Sequence, residues 1–164
     1  MRLPSLVPDP VKVEHRIGIR APAEVIWGIV SDIDRWSEWN PLYSKAAGVV
    51  RMGAQLDLEL ALDGQPRRAI QPVILDWVPN EQIHWRLKMA GGLVVTTRFI
   101  EIEALSATGC IFANGELFGG FGGPPLVRRM GRVIRQGFRE MSEALKAKAE
   151  AAVGTADVPL PPVV

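Results

Sequence analysis

The chain is poor in the side chains that most enzymes use for covalent, metal-dependent or acid–base work. It has one cysteine and two histidines in 164 residues. Cys110 alone cannot close an intramolecular disulfide or build a cysteine-rich metal site, and a cytoplasmic location is expected. No His-x-x-x-His or Cys-x-x-Cys spacing and no carboxylate cluster occurs, so no metal ion is expected. A Gly-x-Ser-x-Gly elbow is absent, and Cys110 has no evident histidine partner. The glycine-rich stretch GGFGGPP, residues 119–125, lacks the Gly-Lys-Ser/Thr of a phosphate cradle and does not follow the dinucleotide fingerprint; no cofactor is expected. It reads as a flap at a cavity mouth or as a plain connector. An excess of one charge is missing too: 19 Lys plus Arg face 18 Asp plus Glu, a formal net charge of +1. No global field draws in nucleic acid. No run of ~18 apolar residues exists to span a membrane. Prolines break the start, MRLPSLVPDP, where a signal peptide needs an unbroken apolar stretch.

What is present is an ordinary globular composition, 48% hydrophobic and 23% charged. The length fits one domain. Residues 1–10 are expected to be an extended N-terminal segment and residues 11–150 the folded domain. Residues 151–164, AAVGTADVPLPPVV, have Gly154, three prolines and no period; they are expected to form a flexible tail.

Periodicity supplies the elements. VKVEHRIGIR alternates as a strand, with apolar Val11, Val13, Ile17 and Ile19 and an irregularity expected around His15. Pro22 suits the first turn of a helix, and AEVIWGIVSDI follows with a broad apolar face. Helix competence fades at SDIDRWSEWNP, because Asn40 precedes Pro41. In AQLDLELAL the leucines 56, 58, 60 and 62 share one face, with Gln55, Asp57 and Glu59 on the other. Asp-Gly then signals a hairpin. RRAIQPVILDW continues as a strand with an edge or bulge at Pro72. QIHWRLKM, LVVTTRFIEIE and CIFANGELF follow as strands joined by tight turns, an antiparallel meander. The last element is a long helix in which Leu126, Met130, Val133, Ile134, Phe138, Met141 and Leu145 make one stripe. The four leucines need a cover, and only this helix is long enough. The expected class is α+β, a curved antiparallel sheet wrapped around a long C-terminal helix, with room for a cavity between them.

This order, together with APAEVIWGIVSDIDRWSEWNP, VPNEQIHW, TTRF, NGELFGG and GFREMSEALKAKAE, resembles the START-like (SRPBCC) helix-grip superfamily, in its polyketide cyclase/dehydrase-like branch. The resemblance spans roughly residues 11–150. It implies a sheet gripping the helix around an apolar ligand cavity, and it sets the Trp-x-x-Trp-Asn-Pro stretch near one end of that cavity. Trp36 and Trp39 then serve as core plug, pocket wall or both, with Trp39 nearer the ligand. The chain departs from the branch in two places. Thr96-Thr97 precedes Arg98-Phe99 where relatives often carry Glu-His, and Asn114 stands where they often carry His. Both obvious acid–base groups are therefore missing.

Alternation in FANGELF puts Phe112, Asn114, Glu116 and Phe118 on one face, made the inner one by its aromatics. A carboxylate there is desolvated, so Glu116 is the candidate acid–base residue; near the strand end it could instead reach water or an arginine. Asn114 and Thr97 could orient a ligand oxygen or be satisfied structural groups. Trp39, Trp85, Phe99, Phe112 and Phe118 are expected along one cavity wall. His84 belongs with Arg86 and Lys88 on the solvated face. Arg128, Arg132, Arg135 and Arg139 form a basic face on the last helix, interrupted by Glu140 and Glu143. Three functions are compatible with this reading. The first is a binder of an apolar or aromatic, lipid- or polyketide-like small molecule. The second is a polyketide cyclase or dehydratase using Glu116. The third is a non-catalytic accessory protein of a larger complex. A monomer and a homodimer fit equally well.

Overall fold

The computed structural model describes residues 6–156, leaving out the side chains of the last two. Strand β1 (Val11–Ile19) leads into helix α1 (Ala23–Val30) and a 3-10 segment, Ile33–Glu38. Seven strands follow: β2 (Tyr43–Ala47), β3 (Asp57–Leu60), β4 (Arg68–Ile70), β5 (Val73–Val78), β6 (Gln82–Met89), β7 (Val94–Ser106) and β8 (Gly109–Gly119). Helix α2 runs over Gly123–Ala156. A five-stranded antiparallel sheet has the order β1-β8-β7-β6-β5, and a three-stranded sheet the order β2-β3-β4. Helix α2 packs across β1, β8 and β7 and against α1. This is the helix-grip architecture expected from the leucine row.

Several elements differ from the reading of the sequence. The strand through Pro72 is two strands in two sheets. Residues 71–72 separate β4 from β5, and Leu56 N–H donates to the Pro72 carbonyl (2.9 Å). Together with the Ile74 N–H bond to the Ala54 carbonyl (2.9 Å), this ties one sheet to the other at the corner. Proline has no N–H for a ladder, so it sits at the break. Strand β2 has no clear alternation in its YSKAA sequence, and the sequence reading passes over it. No irregularity occurs at His15: β1 pairs with β8 in unbroken register, and His15 takes the inner-row position opposite Asn114. The C-terminal helix continues through residues 151–156, where a tail was expected. Ala149 is buried and Val153 packs on the core, so apolar contact carries the helix past residue 150. Residues 157–164 of the expected tail and residues 1–5 lie outside the described residues.

The glycine stretch is a tight turn between β8 and α2, not a flap. Gly122 N–H donates to the Leu93 carbonyl (2.9 Å). Gly120 has φ +78°, and a Cβ there would fall 2.3 Å from the same carbonyl oxygen. Only glycine satisfies both requirements.

The leucine row behaves as its period demands. Leu56 and Leu58 are buried, and Leu60 and Leu62 are half-buried. Leu42 and Leu62 meet α2 at Gly137, where a Cβ would come within 2.9 and 3.0 Å of their methyl groups. Trp36 is fully buried: its Nε1 donates to the Val30 carbonyl (3.0 Å), and its ring stacks on Tyr43 at 5.3 Å and meets Trp85 at 6.0 Å. The Asn-Pro after it makes a turn in which Asn40 Oδ1 accepts the Leu42 N–H (3.1 Å). Trp36 is therefore a core plug, and its aromatic contacts lead toward the centre of the molecule.

Burial of Leu58 gives a direct test. Leu58→Ala should cost about 2–5 kcal/mol through lost contact and a residual void. Leu58→Asp should cost more, because it leaves an unpaired charge in the core. Urea denaturation measures both; an aspartate variant as stable as the parent would contradict the packing of β3.

Candidate ligand-binding cavity

The two sheets and α2 do not close on each other completely. They leave a cavity of about 370 Å³. The small sheet contributes Leu60, Leu62 and Ile70, the large sheet Trp85, Leu87 and Phe118, and the helix Leu126, Met130, Ile134 and Phe138. Exposed residues 65–68 border it at the surface. Besides Arg68 at the surface, four polar side chains reach it from the strands: Tyr43, Thr96, Arg98 and Glu116.

Register explains that set. Trp85 pairs with Arg98, Arg98 with Glu116, and Glu116 with Val13, so one inner row crosses β6, β7, β8 and β1. The next row is Leu87, Thr96, Phe118 and Val11. Side chains alternate along a strand, so Thr96, Arg98 and Ile100 point inward while Thr97 and Phe99 point outward. Of the residues expected at the site, the fold brings together Trp85, Glu116 and Phe118. Thr97 and Phe99 lie on the opposite face. Phe99 is nonetheless buried, because it fills a notch at Gly115: a Cβ there would stand 2.3 Å from the phenyl ring. Reading Phe99 as inward confused burial with facing the cavity.

Three further expected residues lie elsewhere. Phe112 and Asn114 are inner-row residues, but deeper, where α2 meets the sheet. Asn114 Nδ2 donates to the Phe138 carbonyl (3.0 Å) and contacts Ser142 Oγ at 3.5 Å, tying β8 to the helix. Trp39 is half-buried at the end of the 3-10 segment and does not line the cavity. The residues missed by the sequence reading are Tyr43, Thr96 and Arg98. For the last two, alternation puts Thr96 and Arg98 on one face of β7, and the pairing of Arg98 with Glu116 shows that face to be the inner one.

Arg98 dominates the polar end. It is 2% exposed. Its guanidinium lies over the Phe138 ring at 4.1 Å and the Trp85 ring at 5.4 Å, a favourable stack for a cation. Nη1 donates to the carbonyls of Gly115 (2.8 Å) and Phe99 (2.9 Å), and Nη2 to the Met141 sulfur (3.6 Å). Nε has no partner. The Tyr43 hydroxyl lies against the same guanidinium. Tyr43 is buried, and desolvation pushes its phenol above the ordinary value, with Arg98 opposing and Glu116 reinforcing the rise. Desolvation likewise raises the Glu116 carboxyl, against the pull of Arg98 and the Thr96 hydroxyl. Glu116 is half-buried and lines the cavity. Thr96 Oγ1 nears the carboxyl without closing a hydrogen bond of good geometry. The arrangement can hold a neutral carboxyl and a cation side by side at one end of an apolar chamber.

Outside the cavity, His84 sits on the outer face between Asp76 (3.1 Å) and Glu101 (3.4 Å). No group of three or more His, Cys, Asp or Glu among the described residues could hold a metal ion. No helix among them is long and apolar enough to cross a membrane.

A curved sheet gripping a long helix around an apolar chamber is a helix-grip fold. Residues 10–150 match the family model described as polyketide cyclase / dehydrase and lipid transport, and the chain belongs to that family. Solved structures share the fold. The Zhui aromatase/cyclase from Streptomyces sp. R1128 is 19% identical, with 92% of this chain and 99% of that one aligned at a TM-score of 0.75. A START superfamily protein from Mycobacterium smegmatis is 21% identical (86% and 98% aligned, TM-score 0.65). A norcoclaurine synthase point mutant from Thalictrum flavum is 14% identical (89% and 99%, TM-score 0.67). No curated protein matches the chain by sequence.

The Glu116 carboxyl makes stability depend on pH in a definite direction. Its folded pKa lies above its unfolded one. Between the two values the folded chain holds a proton that the unfolded chain has lost, so this group's contribution falls as pH rises through the window and is level above it. Glu116→Gln removes the titration. The variant should lose less stability than the parent as pH rises above the ordinary carboxylate range. Thermal melts across that range measure the difference; parallel profiles would show that Glu116 is not desolvated.

Proposed function

We propose that the protein binds an apolar or aromatic small molecule, lipid- or polyketide-like, in the cavity between sheet and C-terminal helix. The observation that carries this reading is the chamber itself. Its volume, about 370 Å³, falls in the range of small-molecule sites, and apolar walls with a few polar groups at one end match what such sites use to hold and orient a ligand. Trp85 and Phe118 supply aromatic surface, and Arg98, Tyr43 and Glu116 supply the orienting groups. Membership of a family described by cyclisation, dehydration and lipid transport supports the same class of ligand.

A second reading has one observation in its favour. Glu116 borders the cavity, and burial raises its carboxyl pKa against the pull of Arg98, the direction that favours a general acid. In that reading Glu116 gives or takes the proton in a cyclisation or dehydration, and Arg98 and Tyr43 polarise a ligand carbonyl. Thr97 and Asn114 no longer suit the polarising role, because one faces outward and the other is engaged with α2.

Native mass spectrometry of gently purified protein should reveal a co-purified organic ligand. Leu60→Trp, which fills the chamber from β3, should weaken the binding of an apolar probe such as N-phenyl-1-naphthylamine at least about tenfold and leave the far-ultraviolet spectrum unchanged. Unaltered binding by the filled variant would overturn the cavity as the site. If the ligand is also a substrate, Glu116→Gln should lower turnover by about 10²-fold or more, with little change in affinity.

A further inference from the structure

We propose that the ligand is an amphipathic anion, an apolar or aromatic skeleton ending in an oxyanion such as a carboxylate, enolate or phenolate, and that Arg98 is the group that receives the charged end. This rests on the cavity being a ligand site and goes on to name what enters it.

The inference starts from an imbalance of charge. A buried cation is costly unless an anion or a full set of acceptors meets it. Arg98 is buried and lines the cavity, yet no carboxylate lies within 4.0 Å of its guanidinium among the described residues. An arginine has five N–H donors and no acceptor. Two backbone carbonyls occupy Nη1, a thioether sulfur is a weak acceptor for Nη2, the Tyr43 hydroxyl oxygen adds one neutral acceptor, and Nε is unpartnered. The rings of Phe138 and Trp85 offset part of the charge but accept no strong hydrogen bond.

The one carboxyl on the neighbouring strand does not complete the balance. Glu116 is the register partner of Arg98, but the two do not form an ion pair. Burial favours its neutral form, which donates a hydrogen bond instead of supplying a negative charge. Tyr43 is likewise held as a neutral phenol. The polar end therefore offers a guanidinium, a hydroxyl and a carboxyl whose charged form burial disfavours, a set short of strong acceptors for the guanidinium. A ligand oxyanion supplies the missing acceptors, and in a desolvated site a charge-assisted bond to arginine is among the strong ones. The surface entrance carries the same sign: Arg67 and Arg68 border the cavity, with Arg67 near Glu59 at 3.7 Å.

Matched probes test the idea. N-phenyl-1-naphthylamine and 8-anilinonaphthalene-1-sulfonate share one ring skeleton and differ by the sulfonate. The protein should bind the sulfonate probe at least about tenfold more tightly than the neutral one. Arg98→Met, close in length and uncharged, should abolish that preference; Arg98→Lys should retain part of it. The double variant Arg67→Gln/Arg68→Gln should keep most of the preference. If Arg98→Met does not fold, the two-probe comparison in the parent and the entrance variant still decides. Neutral probe bound with no preference for the anion overturns the inference while the cavity reading stands. A preference that disappears with the entrance arginines overturns the role of Arg98. Failure of both probes to bind inside overturns the cavity reading itself.

Discussion

Helix α2 is buried on the sheet over its second half and lines the cavity over its first, and the site depends on that division. From Phe138 onward the helix buries Met141, Leu145 and Ala149 against β1, β8 and α1. The Asn114 side chain fixes the boundary by donating to the Phe138 carbonyl, an acceptor shared with the Ser142 hydroxyl (2.8 Å). A buried amide held this way resists sliding of the helix along the sheet, since any shift leaves polar groups unpaired at a cost of about 1–3 kcal/mol each. On the N-terminal side Leu126, Met130 and Ile134 continue the same apolar stripe, but they face open volume. The stripe is uniform in sequence and divided in use. Its first part is kept apolar for something that is not part of the chain.

The division also accounts for the position of Arg98. It stands one step along β7 from the level of Asn114: Ile100 pairs with Asn114, and Arg98 with Glu116. A cation deeper in the fold would meet only packed apolar groups. One nearer the surface would reach water and lose its hold on a ligand. At the floor of the chamber it has aromatic surface on two sides and backbone carbonyls behind it, so its orientation is fixed before anything binds. Such preorganisation is what makes a polar group selective inside an apolar pocket. The fold thus tolerates a locally unfavourable group at the place where function is expected to require one.

The architecture was legible in the sequence because it rests on long, consistent periods. Four leucines at alternate positions and a helical stripe along α2 leave few ways to bury both. Turn residues located the hairpins, and Asn-Pro ended the first helical region. The site was less legible for two separate physical reasons. Parity along β7 is ambiguous from composition, since Thr96-Thr97-Arg98-Phe99 offers a charged residue on one face and an aromatic on the other. The aromatic is the natural choice for the inside, and the glycine notch at position 115, which lets Phe99 be buried outside, lies on another strand. Tyr43 was missed because β2 has no clear period of its own and is recognisable only by its pairing with β3. Glu116 and Trp85, in strands that alternate cleanly, border the cavity as their alternation predicts.

Binding and catalysis draw on the same groups at the floor of the cavity. A donor-rich floor that captures an oxyanion would also stabilise negative charge developing on a carbonyl oxygen, because the two demand the same geometry. What differs is timing. A carrier gains from meeting the charge in the ground state, whereas a catalyst gains only from charge that grows on the way to the transition state. Glu116 is the group on which the distinction turns. If its proton stays in place while the ligand is held, it is one more donor in a receptor. If the proton moves, the resulting carboxylate faces Arg98 directly, and the ion pair absent from the resting site forms during the reaction. The buried guanidinium would then stabilise the product side of the proton transfer, so the charge imbalance that favours an anionic ligand could equally lower the barrier to giving up that proton.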